Sequence, residues 1–261
     1  MARVFLSAPA ARRSLQQTHL ARLLPALQIV KPEGRGPFPA VLQMHGCGGC
    51  KPFQRAYAES LAAAGVAAVV IDSFAHRGIS TAQAYALVCT GLRLWGSERA
   101  SDLFALYPWV RLQPWADPGR ILAAGWSHGA WTIMDALALP HERIAAVTGL
   151  EDAPSEPLAG LAGAFLVYPY CGAASLSGRH GWRFYPKTTA ILAGRDSVVG
   201  VRRPKAVLEG LRRRSPDMGL ILFPEATHAF DEPGIKDPRM RFNPRRAAET
   251  RALLIESALS L

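Results

Sequence analysis

The sequence predicts an α/β chain in three layers, a mostly parallel central sheet with helices on both faces. Three observations carry that expectation. Short apolar runs alternate with helix-patterned stretches along the 261 residues, which implies right-handed crossovers between parallel strands. Val66 to Ile71 is wholly apolar and rich in β-branched residues, as a strand covered on both faces requires. Gly125-Trp126-Ser127-His128-Gly129 joins an apolar run to a helix-compatible segment, the pattern of a strand, a sharp turn and a helix with an exposed serine at the apex.

Taken in order, residues 1–36 carry strand candidates at Val4 to Leu6 and Leu24 to Val30 around an Arg-containing amphipathic stretch, and residues 1–27 have the weakest pattern. Phe38 to His45 reads as a buried strand entering the loop Gly46-Cys47-Gly48-Gly49. A helix from Arg55 to Ala64 stops at Gly65, and the next strand ends in Asp72-Ser73-Phe74-Ala75-His76-Arg77-Gly78. Residues 81–112 are helix-patterned, with Glu98, Arg99 and Asp102 expected outward and Leu103, Leu106 and Val110 inward, before Pro114 and Pro118. Beyond the serine turn, residues 143–160 have no clear pattern. Strands follow at Ala164 to Tyr168, Thr188 to about Ala193 and Gly219 to Phe223, with a basic helix from about Arg203 to Arg214. Asn243 as cap and Pro244 at the first position begin a final helix to about Leu259.

No linker-like stretch or charge block divides the chain, so residues 1–261 read as one domain. Hydrophobic residues at 49% and charged residues at 19% suffice for a sizeable core. The formal charge of +10 comes from arginines scattered along the chain, with short runs such as Arg202-Arg203, Arg212-Arg213-Arg214 and Arg245-Arg246. No basic stripe interleaved with aromatics appears, which argues against a nucleic-acid partner. No run approaches the length of a membrane span, and the opening residues have too short an apolar core for a secretory signal, so the expected compartment is the cytoplasm. A chain whose leader had been removed would read the same way. Cys47, Cys50, Cys89 and Cys171 read as free thiols, with one disulfide, for example Cys50 with Cys89, open for an exported protein. The Cys47-x-x-Cys50 spacing has no second pair, so no metal is expected.

In parallel sheets, ligands bind beyond the carboxyl ends of the strands. Cys47, Arg77, Ser127, Asp196 and His228 each fall just after a strand. A serine hydroxyl attacks well only if a base takes its proton and an acid orients that base. His228 is the histidine that follows a late strand. Asp196, after the preceding strand, supplies the acid, with Asp152, Glu225 and Asp231 as substitutes. The plainer readings are a helix-capping Ser127, a turn-capping Asp196 and a packed His228. Backbone N–H groups of His128 and Cys47 are the candidate donors to an oxyanion, although the glycines beside Cys47 would also suit a plain tight turn. Arg77, as a clamp for an anionic group or simply a surface arginine, and Trp126 are the candidate substrate contacts.

Together, Met44-His45-Gly46-Cys47-Gly48-Gly49, Asp72 to Gly78, Gly125 to Gly129, Tyr168-Pro169-Tyr170-Cys171-Gly172, Gly194-Arg195-Asp196 and His228-Ala229-Phe230 resemble the dienelactone hydrolase family of α/β-hydrolases. The similarity runs from about residue 28 to the C-terminus. It implies a compact α/β-hydrolase fold with no large cap domain and no metal or cofactor. The implied reaction is hydrolysis of a small ester or lactone through an acyl-enzyme. The best-known members use cysteine as nucleophile, whereas this chain carries Ser127, which favours a broader serine carboxylesterase. A serine peptidase on short peptides and a non-catalytic ligand-binding protein are the competing readings, and oligomeric state is not legible.

Overall fold

The computed structural model describes residues 12–261, so the strand candidate at Val4 to Leu6 lies outside the described residues. The elements run α1 (Gln16–Leu23), β1 (Leu27–Val30), β2 (Phe38–Met44), α2 (Pro52–Ala63), β3 (Ala67–Ile71) and α3 (Thr81–Gln83). A π-helical turn, Ala84–Val88, follows. Then come α4 (Gly96–Arg111), β4 (Ala116–Trp126), α5 (His128–Ala138), α6 (Ile144–Thr148), β5 (Gly163–Val167), α7 (Ser177–His180), β6 (Lys187–Ala193), α8 (Arg202–Arg212), β7 (Met218–Phe223) and α9 (Pro244–Leu259).

The seven strands form one sheet in the order β1-β3-β2-β4-β5-β6-β7. Every neighbouring pair is parallel except β1 with β3, so the antiparallel strand sits at an edge. Leu24–Ala26, expected within the β1 strand, is a 3₁₀ turn instead, because Pro25 has no N–H for a ladder and a ring that favours turns. β3 is buried along its whole length, as its unbroken apolar run requires.

Strand alternation sends successive side chains to two cores. Leu42, Met44, Ala123 and Leu166 face the layer of α4 and α5, while Val41, Leu122, Ala124 and Phe165 face α2 and α9. Both outer helices begin as their sequences dictate. Gln54 Oε1 accepts from the Lys51 amide at 2.6 Å ahead of Pro52, and Asn243 Oδ1 accepts from the Arg246 amide at 3.1 Å.

The reading of α4 as an amphipathic surface helix needs correction. Arg99 and Asp102 are both fully buried. The helix is packed on nearly all sides, so its charged residues turn inward to partners rather than outward to water. No helix among the described residues is long and apolar enough to cross a membrane.

Candidate active site

The serine turn is built by close backbone approach. Ser127 lies between β4 and α5 with φ +51°, a strained value for a non-glycine residue. A Cβ at Gly125 would sit 2.5 Å from the Ala130 amide nitrogen, and one at Gly129 would collide with the Met44 carbonyl. Both glycines of the pentapeptide are therefore required where helix, elbow strand and β2 meet.

Three side chains from distant parts of the chain converge here. The Ser127 Oγ lies 2.9 Å from His228 Nε2, and His228 Nδ1 lies 2.6 Å from Asp196 Oδ2. All three are buried. Asp196 Oδ1 also accepts from the amides of Val198 and Val199 at 2.9 and 3.0 Å, so one carboxylate both caps its own turn and meets the imidazole. The Tyr168 ring packs against His228 with centroids 4.7 Å apart. The substitute acids are engaged elsewhere. Asp231 accepts from Tyr57, Trp126 and Tyr168 hydroxyl or indole groups, Glu225 pairs with Arg245 and Arg246, and Asp152 accepts from the Gln16 amide.

Cys47 and His128 line the same cavity as Ser127. His128 is the first residue of α5 and has no intrahelical acceptor for its N–H. Among the described residues, neither the Cys47 nor the His128 amide donates to another backbone carbonyl. The Ser127 amide, by contrast, is committed to the Val167 carbonyl at 2.9 Å.

The thiol assignments change. Cys47 is disulfide-bonded to Cys89, not free, and Cys89 is not paired with Cys50. Four cysteines allow three pairs of bridges, and spacing cannot choose among them. Here the π-helical turn after α3 brings Cys89 against the glycine loop, with Cα atoms 5.0 Å apart. Cys50 and Cys171 are free thiols, and burial pushes the Cys50 thiol up to about 11.

Behind the elbow, Arg99 ties three strand ends together. Its Nε donates to Ser73 Oγ at 2.8 Å, and its guanidinium donates to the His45 carbonyl at 2.7 Å and to His128 Nδ1 at 3.1 Å. His128 Nε2 in turn donates to the Leu94 carbonyl at 2.8 Å. Burial, then the Arg99 charge, lowers the His128 imidazole to about 3, so it is neutral and fixed in one tautomer. Sequence reasoning missed Arg99. Only its position one helical turn before the core residue Leu103 could have hinted at an inward direction, and burial on nearly all sides of α4 blurs that periodicity.

The cavity holds about 780 Å³. Val88, Trp95, Trp131, Tyr170, Val198 and Val199 give it a largely apolar wall. Trp131 is fixed by its indole N–H to Asp135 Oδ2 at 2.7 Å and packs on Tyr170. Two expected substrate contacts are corrected. Trp126 points to the α2 side of the sheet, where it donates to Asp231 Oδ2 at 2.7 Å, and it does not line the cavity. Arg77 is bound to Asp102 at 2.8 Å and lines a different cavity. Strand alternation accounts for the first, and the buried carboxylate on α4 for the second. From residues 171–187, Ala173, Ala174 and Arg179 reach the cavity, while Trp182 is buried in the core and Phe184 faces another pocket.

No protein-family model matches the sequence, and no curated protein matches it. Solved structures do match. Esterase 2 of Thermogutta terrifontis, phosphorylated by paraoxon, aligns with TM-score 0.66 at 18% identity over 90% of this chain and 88% of that one. The fold is that of an α/β-hydrolase. The same esterase with butyrate bound aligns at TM-score 0.63 and 17% identity, covering 90% and 88% of the two chains. The dienelactone hydrolase of Anabaena variabilis aligns at TM-score 0.58 and 21% identity over 90% of each chain. The site lies beyond the carboxyl ends of strands β2, β4, β6 and β7, the place where parallel sheets present their ligand sites.

Proposed function

We propose that this chain is a serine hydrolase that cleaves small carboxylic esters or lactones through an acyl-enzyme, in the manner of dienelactone hydrolases. The observation that carries the reading is the unbroken relay from Asp196 through His228 to Ser127, with links of 2.6 and 2.9 Å. Ser127 Oγ attacks the ester carbonyl carbon while its proton passes to His228 Nε2. Asp196 holds the imidazolium that forms and keeps Nδ1 protonated. The carbonyl oxygen becomes an oxyanion facing the amides of His128 and Cys47, where one well-placed donor is worth about 2.7 to 4 kcal/mol in the transition state.

His228 then gives its proton to the leaving alkoxide. A water, deprotonated by the same imidazole, attacks the acyl-enzyme and releases the acid and Ser127. The apolar wall from Val88 to Val199 suits a short uncharged acyl group, in keeping with the butyrate in the Thermogutta esterase. The Cys47–Cys89 disulfide supports an oxidising compartment over the cytoplasm expected from the opening residues.

The test is hydrolysis of p-nitrophenyl acetate and butyrate together with labelling by a fluorophosphonate. Both should occur in the native chain and vanish in Ser127→Ala. A native chain that neither turns over the esters nor takes the label overturns the proposal and leaves a binding role for the scaffold.

A further inference from the structure

A second cavity, of about 330 Å³, stands back to back with the first across residues 91–95. Gly91 and Trp95 line the catalytic cavity, while Arg93 and Leu94 line the other. Its wall carries four arginines, Arg12, Arg22, Arg77 and Arg93, and two histidines, His19 and His76. They come from the stretch before α1, from α1 itself, from the turn after β3 and from the strip before α4.

Most of the compensating charge is already spent. Asp102 Oδ1 accepts from His19 Nε2 at 2.7 Å, from His76 Nε2 at 3.2 Å and from Arg77 at 2.9 Å, and its Oδ2 accepts from Arg77 at 2.8 Å. That carboxylate cancels Arg77. Among the described residues, neither Arg22 nor Arg93 lies within ion-pair distance of a carboxylate. Glu98 is the other carboxyl group at the cavity, with Oε2 buried and without a hydrogen-bond partner among the described residues. Four guanidinium charges thus face two carboxyl groups, and two positive charges stay uncompensated even with Glu98 ionised. Burial raises the Glu98 pKa, so a proton there would turn that oxygen from a repelling acceptor into a donor.

His19, His76 and Asp102 also have the spacing of a metal-ligand set, with their ligand atoms within 4.8 Å of one another. The Arg77 guanidinium, however, already bridges both Asp102 oxygens and lies against His76 Nε2, taking the place a cation would need. The same groups favour an anion. Guanidinium forks match phosphate oxygens, and donors arriving from four separate stretches suit a tetrahedral dianion better than a planar monocarboxylate. A cavity this small admits a small molecule and no macromolecule.

We infer that this cavity is a binding site for a small phosphate dianion, either inorganic phosphate or the phosphoryl group of a phosphomonoester, separate from the site of ester cleavage. Isothermal titration of the full chain with inorganic phosphate at constant ionic strength tests it. The native chain and Ser127→Ala should bind one phosphate each with the same Kd. The double variant Arg22→Gln, Arg93→Gln should weaken binding at least about tenfold, the loss expected for two charge-assisted contacts. Arg202→Gln, Arg212→Gln on exposed positions of α8 makes the same change in net charge and should leave Kd unchanged. Arg22→Lys, Arg93→Lys keeps the charge and should retain part of the affinity, which guards against a folding defect. Absence of binding by the native chain at millimolar phosphate, full binding by the Arg22, Arg93 double Gln variant, or equal weakening by the α8 variant would each overturn the inference. A parallel titration with glycerol 3-phosphate separates the two sources. Tighter binding than phosphate assigns an organic phosphate, and weaker binding assigns the free anion.

Discussion

The described residues hold two histidine–carboxylate couples of nearly the same length, and they differ in what lies beyond the imidazole. His228 meets Asp196 at 2.6 Å, and His19 meets Asp102 at 2.7 Å. Both carboxylates are buried. The difference lies on the far side of each pair. His228 presents Nε2 to a serine hydroxyl at the mouth of a cavity, whereas Asp102 is surrounded by two imidazoles and the Arg77 guanidinium. A histidine oriented by an acid becomes a general base only if its second nitrogen meets a group with a proton to give and room for a substrate. Around Asp102 the same parts make a charge-balanced strut joining α1, the turn after β3 and α4.

The largest test of that contrast removes the imidazole. His228→Ala should lower kcat for a p-nitrophenyl ester by about 10⁶-fold, while His19→Ala should leave kcat within about threefold and lower only Tm, since the strut touches no reacting atom. Comparable losses of kcat in the two variants would erase the distinction. Next in size, Asp196→Asn should cost about 10⁴-fold in kcat with an unchanged fold, because the amide favours the wrong tautomer of His228.

The disulfide comes third. Cys47 and Cys89 are 42 residues apart, and closing such a loop stabilises a fold by about 4 kcal/mol in the chain-entropy model. Treatment with dithiothreitol should therefore lower Tm by many degrees and, if the proposed oxyanion role of the Cys47 amide holds, reduce kcat more than it raises KM. An unchanged kcat in the reduced protein would show that the glycine loop holds its shape alone.

The smallest effect on turnover belongs to Asp102→Asn, which should destabilise the chain by about 3 kcal/mol through an unpaired Arg77 and leave kcat near native. Its pH dependence has a definite sign. Burial pushes the Asp102 carboxyl up, but the Arg77 charge and the hydrogen bonds from His19 and His76 outweigh burial and hold it well below the usual range. Its stabilisation is then complete above the unfolded value of about 3.9 and fades as pH falls further toward the folded value. The stability gap between native and variant chains, measured by urea unfolding, should be constant near neutrality and shrink between about pH 4 and pH 2. A gap that widened on acidification would contradict the pairing.

How much of this was legible beforehand depended on whether a residue's role was local. Ser127, Asp196 and His228 could be picked out because each follows a strand, and parallel strands deliver such positions to one rim. The caps of α9 and the glycines of the elbow were equally plain, since backbone geometry at those points demands those residue types. Arg99 and Asp102 were misread as exposed, because α4 is enclosed on nearly every side and leaves no polar stripe to read. Trp126 is a candidate contact in the sequence beside Ser127, yet its side chain leaves the sheet on the face of α2, away from the cavity.

The amino-acid order alone determined the layered architecture, the position of the elbow and the order of serine, acid and histidine. These follow from apolar periodicity and from turns that only certain residues can make, both of which are short-range properties of a chain. Which cysteines join, which arginine serves the interior and which cavity an exposed-looking cation faces were decided by the tertiary structure. Those outcomes depend on distances between segments brought together by packing, and no local pattern encodes them.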